Sequence, residues 1–322
     1  MNKEELIEKL GYYLNPENGI GAALYFVLKD GEESTIKFAN VEEDAKQELK
    51  ERFLSYISDK FINNEDLHYQ NISDADDRKN AVYKYDFEEI PGNLNILNEI
   101  LANEEQPIFN FNHDNFSTLQ GYLITIGNEA NKIALYKKHH PVNLLTRDRF
   151  LLIPRNERLV KIENDAIAID RSFDFMMIDD SLIVLKLGIL ERFFGFEDVV
   201  RTKAQNTIEQ IAVNELLEDI EQLNGIVQNM TNARKLMRIK NSPVLNVPVA
   251  NVINFIRNHP ELTGKIGFNA DETKINLTTH SSKKLFLKLL NDDYLFSELT
   301  ELQYETHAKD KLKNEIQNEN IA

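Results

Sequence analysis

Apolar and polar positions along the chain outline its elements. Residues 1–14 form a short amphipathic pattern that predicts a helix, and the continuous run Leu24-Tyr25-Phe26-Val27-Leu28 predicts a strand. Lys29-Asp30-Gly31-Glu32 closes that run and turns it into a second strand over residues 35–38. Residues 42–61 carry Ala45, Leu49, Phe53, Leu54 and Ile57 at three-to-four spacing, the mark of a helix with one polar face, which packs on the hairpin. Residues 63–80, with Asn63-Asn64, Asp74 and Asp76-Asp77, read as an irregular loop or a marginal strand pair. Order resumes over residues 81–87, Pro91-Gly92 punctuates, and a helix follows over 94–101. Alternation over 119–126 and 132–137 predicts a second hairpin around Gly127-Asn128.

The densest strand pattern lies over residues 150–154, 159–163, 166–170, 173–178 and 181–185, with short links such as Arg155-Asn156 and Asp179-Asp180. Strands so closely spaced predict a meander. Helical patterns follow over 189–194 and 197–223, with Gly195 as the break, then over 227–240, 249–258 and 283–290. A hairpin over 265–269 and 274–277 interrupts them. The fold class is α+β: mostly antiparallel sheets with packed helices, in two α/β domains. The expected division is an N-terminal domain over 1–145, a C-terminal domain over 146–311 holding the meander and the basic helices, and a polar tail over 312–322.

Composition narrows the chemistry. The chain of 322 residues has no cysteine, which removes disulfides, thiolate catalysis and Cys-ligated metal sites. It shows neither a secretory signal pattern nor an apolar stretch of membrane-spanning length, so the expectation is a cytoplasmic protein. The net charge of −16 opposes nucleic-acid binding as a global property. Its distribution differs: residues 231–290 hold 10 Lys and Arg against 3 Asp and Glu, a net +7.

No phosphate-binding loop, nucleophile elbow, zinc-protease motif or dinucleotide fingerprint is present, and Gly19-Ile20-Gly21 reads as an ordinary turn. No cofactor and no metal is expected. His139-His140 invites a metal reading, but adjacent side chains on an extended strand point to opposite faces and do not easily share one ion, so the two read as a surface pair before Pro141. His68, His113, His259, His280 and His307 are scattered. Asp179-Asp180 and Asp292-Asp293 read as turn and loop residues, whereas Asp170 and Asp174 keep open a metal-dependent nuclease. In the basic window, Arg234 and Arg238 share one helix face, and Lys235 and Lys240 join them. Lys283, Lys284 and Lys288 repeat the arrangement above an apolar side of Leu285, Phe286, Leu289 and Leu290. These seven cations suit a phosphate backbone, and they equally suit solvated faces or an acidic protein partner; charge alone leaves both open.

Three segments carry a resemblance: Asp170-Arg171-Ser172-Phe173-Asp174-Phe175 through Ile178-Asp179-Asp180; Leu190-Glu191-Arg192-Phe193-Phe194-Gly195-Phe196-Glu197; and Lys284-Leu285-Phe286-Leu287-Lys288-Leu289-Leu290-Asn291-Asp292-Asp293. With Met237-Arg238 and Pro243-Val244-Leu245, they resemble the bacterial domain-of-unknown-function family whose best-known member is the B subunit of the Kiwa anti-phage system. The resemblance implies a non-enzymatic, oligomeric (dimer or tetramer) subunit that binds double-stranded phage DNA. It also implies recruitment to the inner face of the cell membrane by the other Kiwa component, a multi-span membrane protein. It supplies no catalytic residue, and it favours DNA contacts by the basic window. A scaffold that docks the membrane partner without DNA is the other non-catalytic reading.

Overall fold

The computed structural model describes residues 1–30, 33–76, 78–102, 105–140, 143–145, 152–155, 158–161 and 166–309. Asp77, the strand start expected at Phe150, the turn position Asn156 and the tail 312–322 lie outside them. The chain divides into two compact units, Met1–Ile72 with Lys79–Phe196, and Ser73–Arg78 with Glu197–Ala322. The architecture is α+β with predominantly antiparallel pairing, as the patterning predicts.

The first unit starts with α1 (Lys3–Leu14), β1 (Gly21–Asp30), β2 (Glu33–Ala39) and α2 (Glu43–Ile57). A capping box opens α1: Asn2 Oδ1 accepts from Glu5 N at 2.9 Å while Glu5 Oε2 accepts from Asn2 N at 3.0 Å, worth about 1 kcal/mol. A π-helical turn, Ser58–Ile62, extends α2, and β3 (His68–Asn71), β4 (Ala81–Lys84) and α3 (Ile96–Leu101) follow. The long hairpin is β5 (Leu119–Gly127) with β6 (Lys132–Lys138). Short pieces come next: β7 (Leu144–Leu145) pairs with β10 (Ala166–Ile167), and β8 (Leu152–Arg155) with β9 (Arg158–Lys161). The unit closes with β11 (Phe175–Ile178), β12 (Ser181–Val184) and α4 (Leu187–Phe194).

Eight strands form one sheet in the order β2-β1-β5-β6-β11-β12-β4-β3. The expected meander is therefore not a single element, and β11 and β12, which patterning assigned to the second domain, pair into the sheet of the first unit. The physical reason is burial. Phe175, Met176, Met177 and Ile178 are all buried, which a strand covered on both faces requires, whereas Arg158, Leu159 and Lys161 of β9 are exposed. One face packs Phe26, Tyr122, Ile124, Leu135, Phe173 and Met176 against Leu6 and Leu10 of α1 and Phe53 and Ile57 of α2. On the other, Tyr136 and Phe175 meet Phe194 of α4 edge-on, with centroids 5.5 and 5.2 Å apart.

The second unit contains α5 (Phe196–Val213) from Glu197 onward, α6 (Met230–Ile239), α7 (Val249–Asn258), the hairpin β13 (Gly267–Phe268) and β14 (Ile275–Asn276), α8 (His280–Leu290), and the hairpin β15 (Tyr294–Ser297) and β16 (Leu302–Glu305). The last hairpin has no counterpart in the patterning, because its strands expose Leu295, Phe296, Leu302 and Tyr304 and do not alternate. The long helix expected over 197–223 stops at Val213. Glu215 adopts a left-handed backbone, φ 51°, that an α-helix does not accommodate.

Candidate nucleic-acid interface

Helix α6 is set by Asn229, whose side chain accepts from Asn232 N at 3.1 Å. It buries Ala233, Leu236, Met237 and Ile239. Helix α8 is set by a Thr279–Ser282 capping box and buries Phe286, Leu287, Leu289 and Leu290. The two helices pack together. Their apolar stripes face inward as the spacing predicts, and this leaves the cations at the edges.

The seven cations do not form one open stripe. Lys235 Nζ lies 3.0 Å from Oδ2 of Asp293, whose side chain is fully buried. The same carboxylate accepts from Asn291 Nδ2 at 2.5 Å and faces His307 Nδ1 at 3.0 Å, with Lys309 Nζ 3.8 Å away. Lys309 also donates to Asn291 O at 2.6 Å and to Asp292 O. Burial, with Arg238 and Lys235 nearby, holds the Lys309 ammonium pKa below its ordinary value against the pull of Asp292 and Asp293. Arg238 Nη1 donates to His307 O at 3.4 Å, and Lys288 pairs with Glu305 Oε1 at 2.6 Å. Arg78, held on Asp76 at 2.6 Å, reaches Lys309 O at 3.3 Å.

Lys235, Arg238 and Lys288 thus serve the packing of this unit, with acceptors from the same chain. Arg234 is half-buried on α6. Lys240 and Lys284 are exposed and Lys283 half-exposed, and none of the three side chains makes a hydrogen bond or ion pair among the described residues. Lys240 borders a cavity of about 410 Å³ lined by Gln210, Asn214, Asn241, Ser242 and Asn246 together with the apolar Val213 and Leu245, and among the described residues no carboxylate lines it.

The other candidates resolve in the first unit. Asp174 is buried, with Lys137 Nζ at 3.2 Å and Lys138 N donating at 2.8 Å, while Asp170 is exposed and its backbone N–H donates to the Tyr122 hydroxyl at 3.0 Å. Among the described residues no group of three or more His, Asp or Glu side chains is placed to hold a metal ion. Asp179 and Asp180 take φ 43° and 58° in the β11–β12 turn, and Gly19 takes φ 59°, as turn residues do. The buried role of Asp293 carries no sequence signal, since an Asp just past a helix end reads as a loop residue.

His139 is a correction: it is buried, at 7 % exposure, and neither ring nitrogen has a hydrogen-bond partner among the described residues. Of the pair, which follows the end of β6, only His140 is exposed. Burial, and then Lys138 and His140, hold the His139 pKa below its ordinary value. The unfolded chain therefore takes up a proton that the folded chain resists, so this contribution to stability is present above about pH 6.5 and is lost as the pH falls below it. Melting temperature is expected to drop between about pH 7.5 and about pH 5.5, and to drop less in His139→Phe; equal drops in both would refute the assignment.

The model of the Kiwa protein KwaB-like family matches residues 117–300. The Kiwa protein KwaB of Escherichia coli O55:H7 (strain RM12579 / EPEC) is 30% identical over 318 residues, which cover 97% of this chain and 99% of that protein. No solved structure matches the chain.

Proposed function

The chain belongs to the Kiwa protein KwaB-like family, and from that premise we propose that it is the DNA-binding, non-enzymatic effector subunit of a membrane-associated anti-phage complex. Anti-phage defence comes with the family. The finer reading has double-stranded phage DNA held by phosphate contacts from Lys240, Lys283 and Lys284, while Lys235, Arg238 and Lys288 keep their internal partners and Arg234 supports the α6 face. The observation that carries it is the sorting of cations within residues 231–290. Carboxylates of the same chain take up part of the charge, and three lysines remain open on two packed helices of an acidic protein. Acidic surface elsewhere repels DNA and confines it to this path.

No described helix is long and apolar enough to cross a membrane. In this reading, contact with the membrane runs through a multi-span Kiwa partner. Self-association as a dimer or tetramer would give the exposed Leu295, Phe296, Leu299 and Leu302 of the last hairpin a surface to bury against.

The test is binding to a labelled duplex over a salt series, with and without Mg²⁺. Salt-sensitive binding without cleavage is expected. Replacing Lys240, Lys283 and Lys284 by Ala should weaken all sequences alike and flatten the logarithmic salt slope by about 0.9 per lost contact. An unchanged slope refutes the assignment of these lysines. Mg²⁺-dependent cleavage abolished by Asp170→Asn would replace this reading with a nuclease, and absence of binding at low salt would leave a scaffold.

A further inference from the structure

At one end of the first unit's sheet, Lys29, Ser117, Thr118, Leu119, Gln120 and Lys138 line a cavity of about 500 Å³. Three separate segments supply them: the end of β1, the start of β5 with the 3-10 turn Phe116–Thr118 before it, and the end of β6. Between Val27 and Leu28 the partner on β5 shifts from Gly121 to Leu119, so Gln120 is the extra residue of a bulge in β5 beside the end of β1. Among the described residues no carboxylate lines the cavity, in a chain of net charge −16.

The donors are sorted. Lys138 Nζ spends one N–H on Gln120 O at 2.9 Å and has two left, and the Lys29 side chain makes no hydrogen bond or ion pair among the described residues. Gln120 Oε1 accepts from the Ser34 hydroxyl at 3.0 Å, which leaves its NH₂ group to donate. The Ser117 and Thr118 hydroxyls donate to Asn115, at 2.7 and 2.8 Å, and so present lone pairs. Cations and an amide therefore stand ready for an anion, and hydroxyl oxygens for O–H donors beside it. Lys138 also sits 5.2 Å from the ring centroid of Phe193, an exposed aromatic that Arg192 flanks at 5.7 Å. Burial lowers the Lys138 pKa, and the charge of Lys29 lowers it further against the pull of Asp174; a bound anion would relieve that repulsion.

The geometry points to a binding site for a small phosphorylated sugar of the nucleotide type in this cavity. The phosphate lies between Lys29, Lys138 and the Gln120 amide, the sugar hydroxyls donate to Ser117 and Thr118, and Phe193 offers its ring to a base. The cavity lies in a different unit from the lysines assigned to DNA, so this site stands whether or not duplex binding is found.

Titration calorimetry of the full chain with inorganic phosphate, ribose 5-phosphate and AMP tests it. Binding of AMP and ribose 5-phosphate is expected, with inorganic phosphate weaker because it engages only part of the lining. Lys29→Gln, at an exposed position that leaves the fold intact, should weaken AMP by about tenfold or more, as loss of a charge-assisted contact does. Lys138→Gln should do the same, and Lys46→Gln on α2 should leave affinity unchanged. No heat with any of the three ligands, AMP binding indifferent to Lys29→Gln, or binding of oligonucleotides alone would each overturn the proposal.

Discussion

Asp293→Ala is expected to destabilise the second unit by about 3–5 kcal/mol, the cost of breaking a buried charge cluster by removing one partner. The Asp293 side chain is fully buried and Lys235 is only 14% exposed, so the ammonium left behind has little water to turn to. Asn291 loses its acceptor and His307 its Nδ1 partner in the same step. Because His307 and Lys309 lie beyond β16, the chain after the last hairpin should detach from α6 as well. Denaturant unfolding should show the lost stability, and hydrogen exchange should locate it in α6 and α8. Asp271→Ala, at an exposed loop position, should stay within about 0.5 kcal/mol of the parent. Equal unfolding midpoints for the two variants would mean that Asp293 is not the hub. The same variant should leave Lys240, Lys283 and Lys284 chemically intact, so residual DNA affinity separates a loss of fold from a loss of contacts.

A comparable loss, about 3–5 kcal/mol, is expected for Phe173→Ala. Phe173 is fully buried. It stacks on Phe61, with rings 6.4 Å apart and nearly parallel, and meets Tyr56 edge-on at 5.3 Å. It thereby holds the last turn of α2 and the π-helical turn after it onto the sheet just before β11. Truncation leaves a cavity between rigid elements that cannot collapse to fill it. For a unit of this size the melting temperature should fall by about 2–4 °C for each kcal/mol, with Phe173→Leu recovering much of the loss. A Phe173→Ala protein that melts with the parent would show that the aromatic cluster does not tie α2 to the sheet.

Local pattern determined a good deal of this protein. The spacing of apolar residues identified α1, α2, α7 and the β5–β6 hairpin, and the helix expected over 249–258 matches α7. Asp179-Asp180 marked a tight turn, and the family was legible in three short segments. These features depend on neighbours within a few residues, where dihedral preference and side-chain period act directly. The basic window was also visible as a count of charges, because composition needs no partner.

What only the tertiary structure decided depends on partners far away along the chain. Patterning cannot say that β11 and β12 lie between β6 and β4, since strand order is set by which buried faces meet in space. It read His139 as a surface residue, although the sheet buries that ring and exposes His140. It read Asp293 as a loop residue, although Lys235, 58 positions earlier, folds back onto its carboxylate. The seven cations were equal in sequence. Packing made Lys235, Arg238 and Lys288 internal partners and left Lys240, Lys283 and Lys284 to the solvent, because a charge is spent or available according to the carboxylates that reach it in the fold.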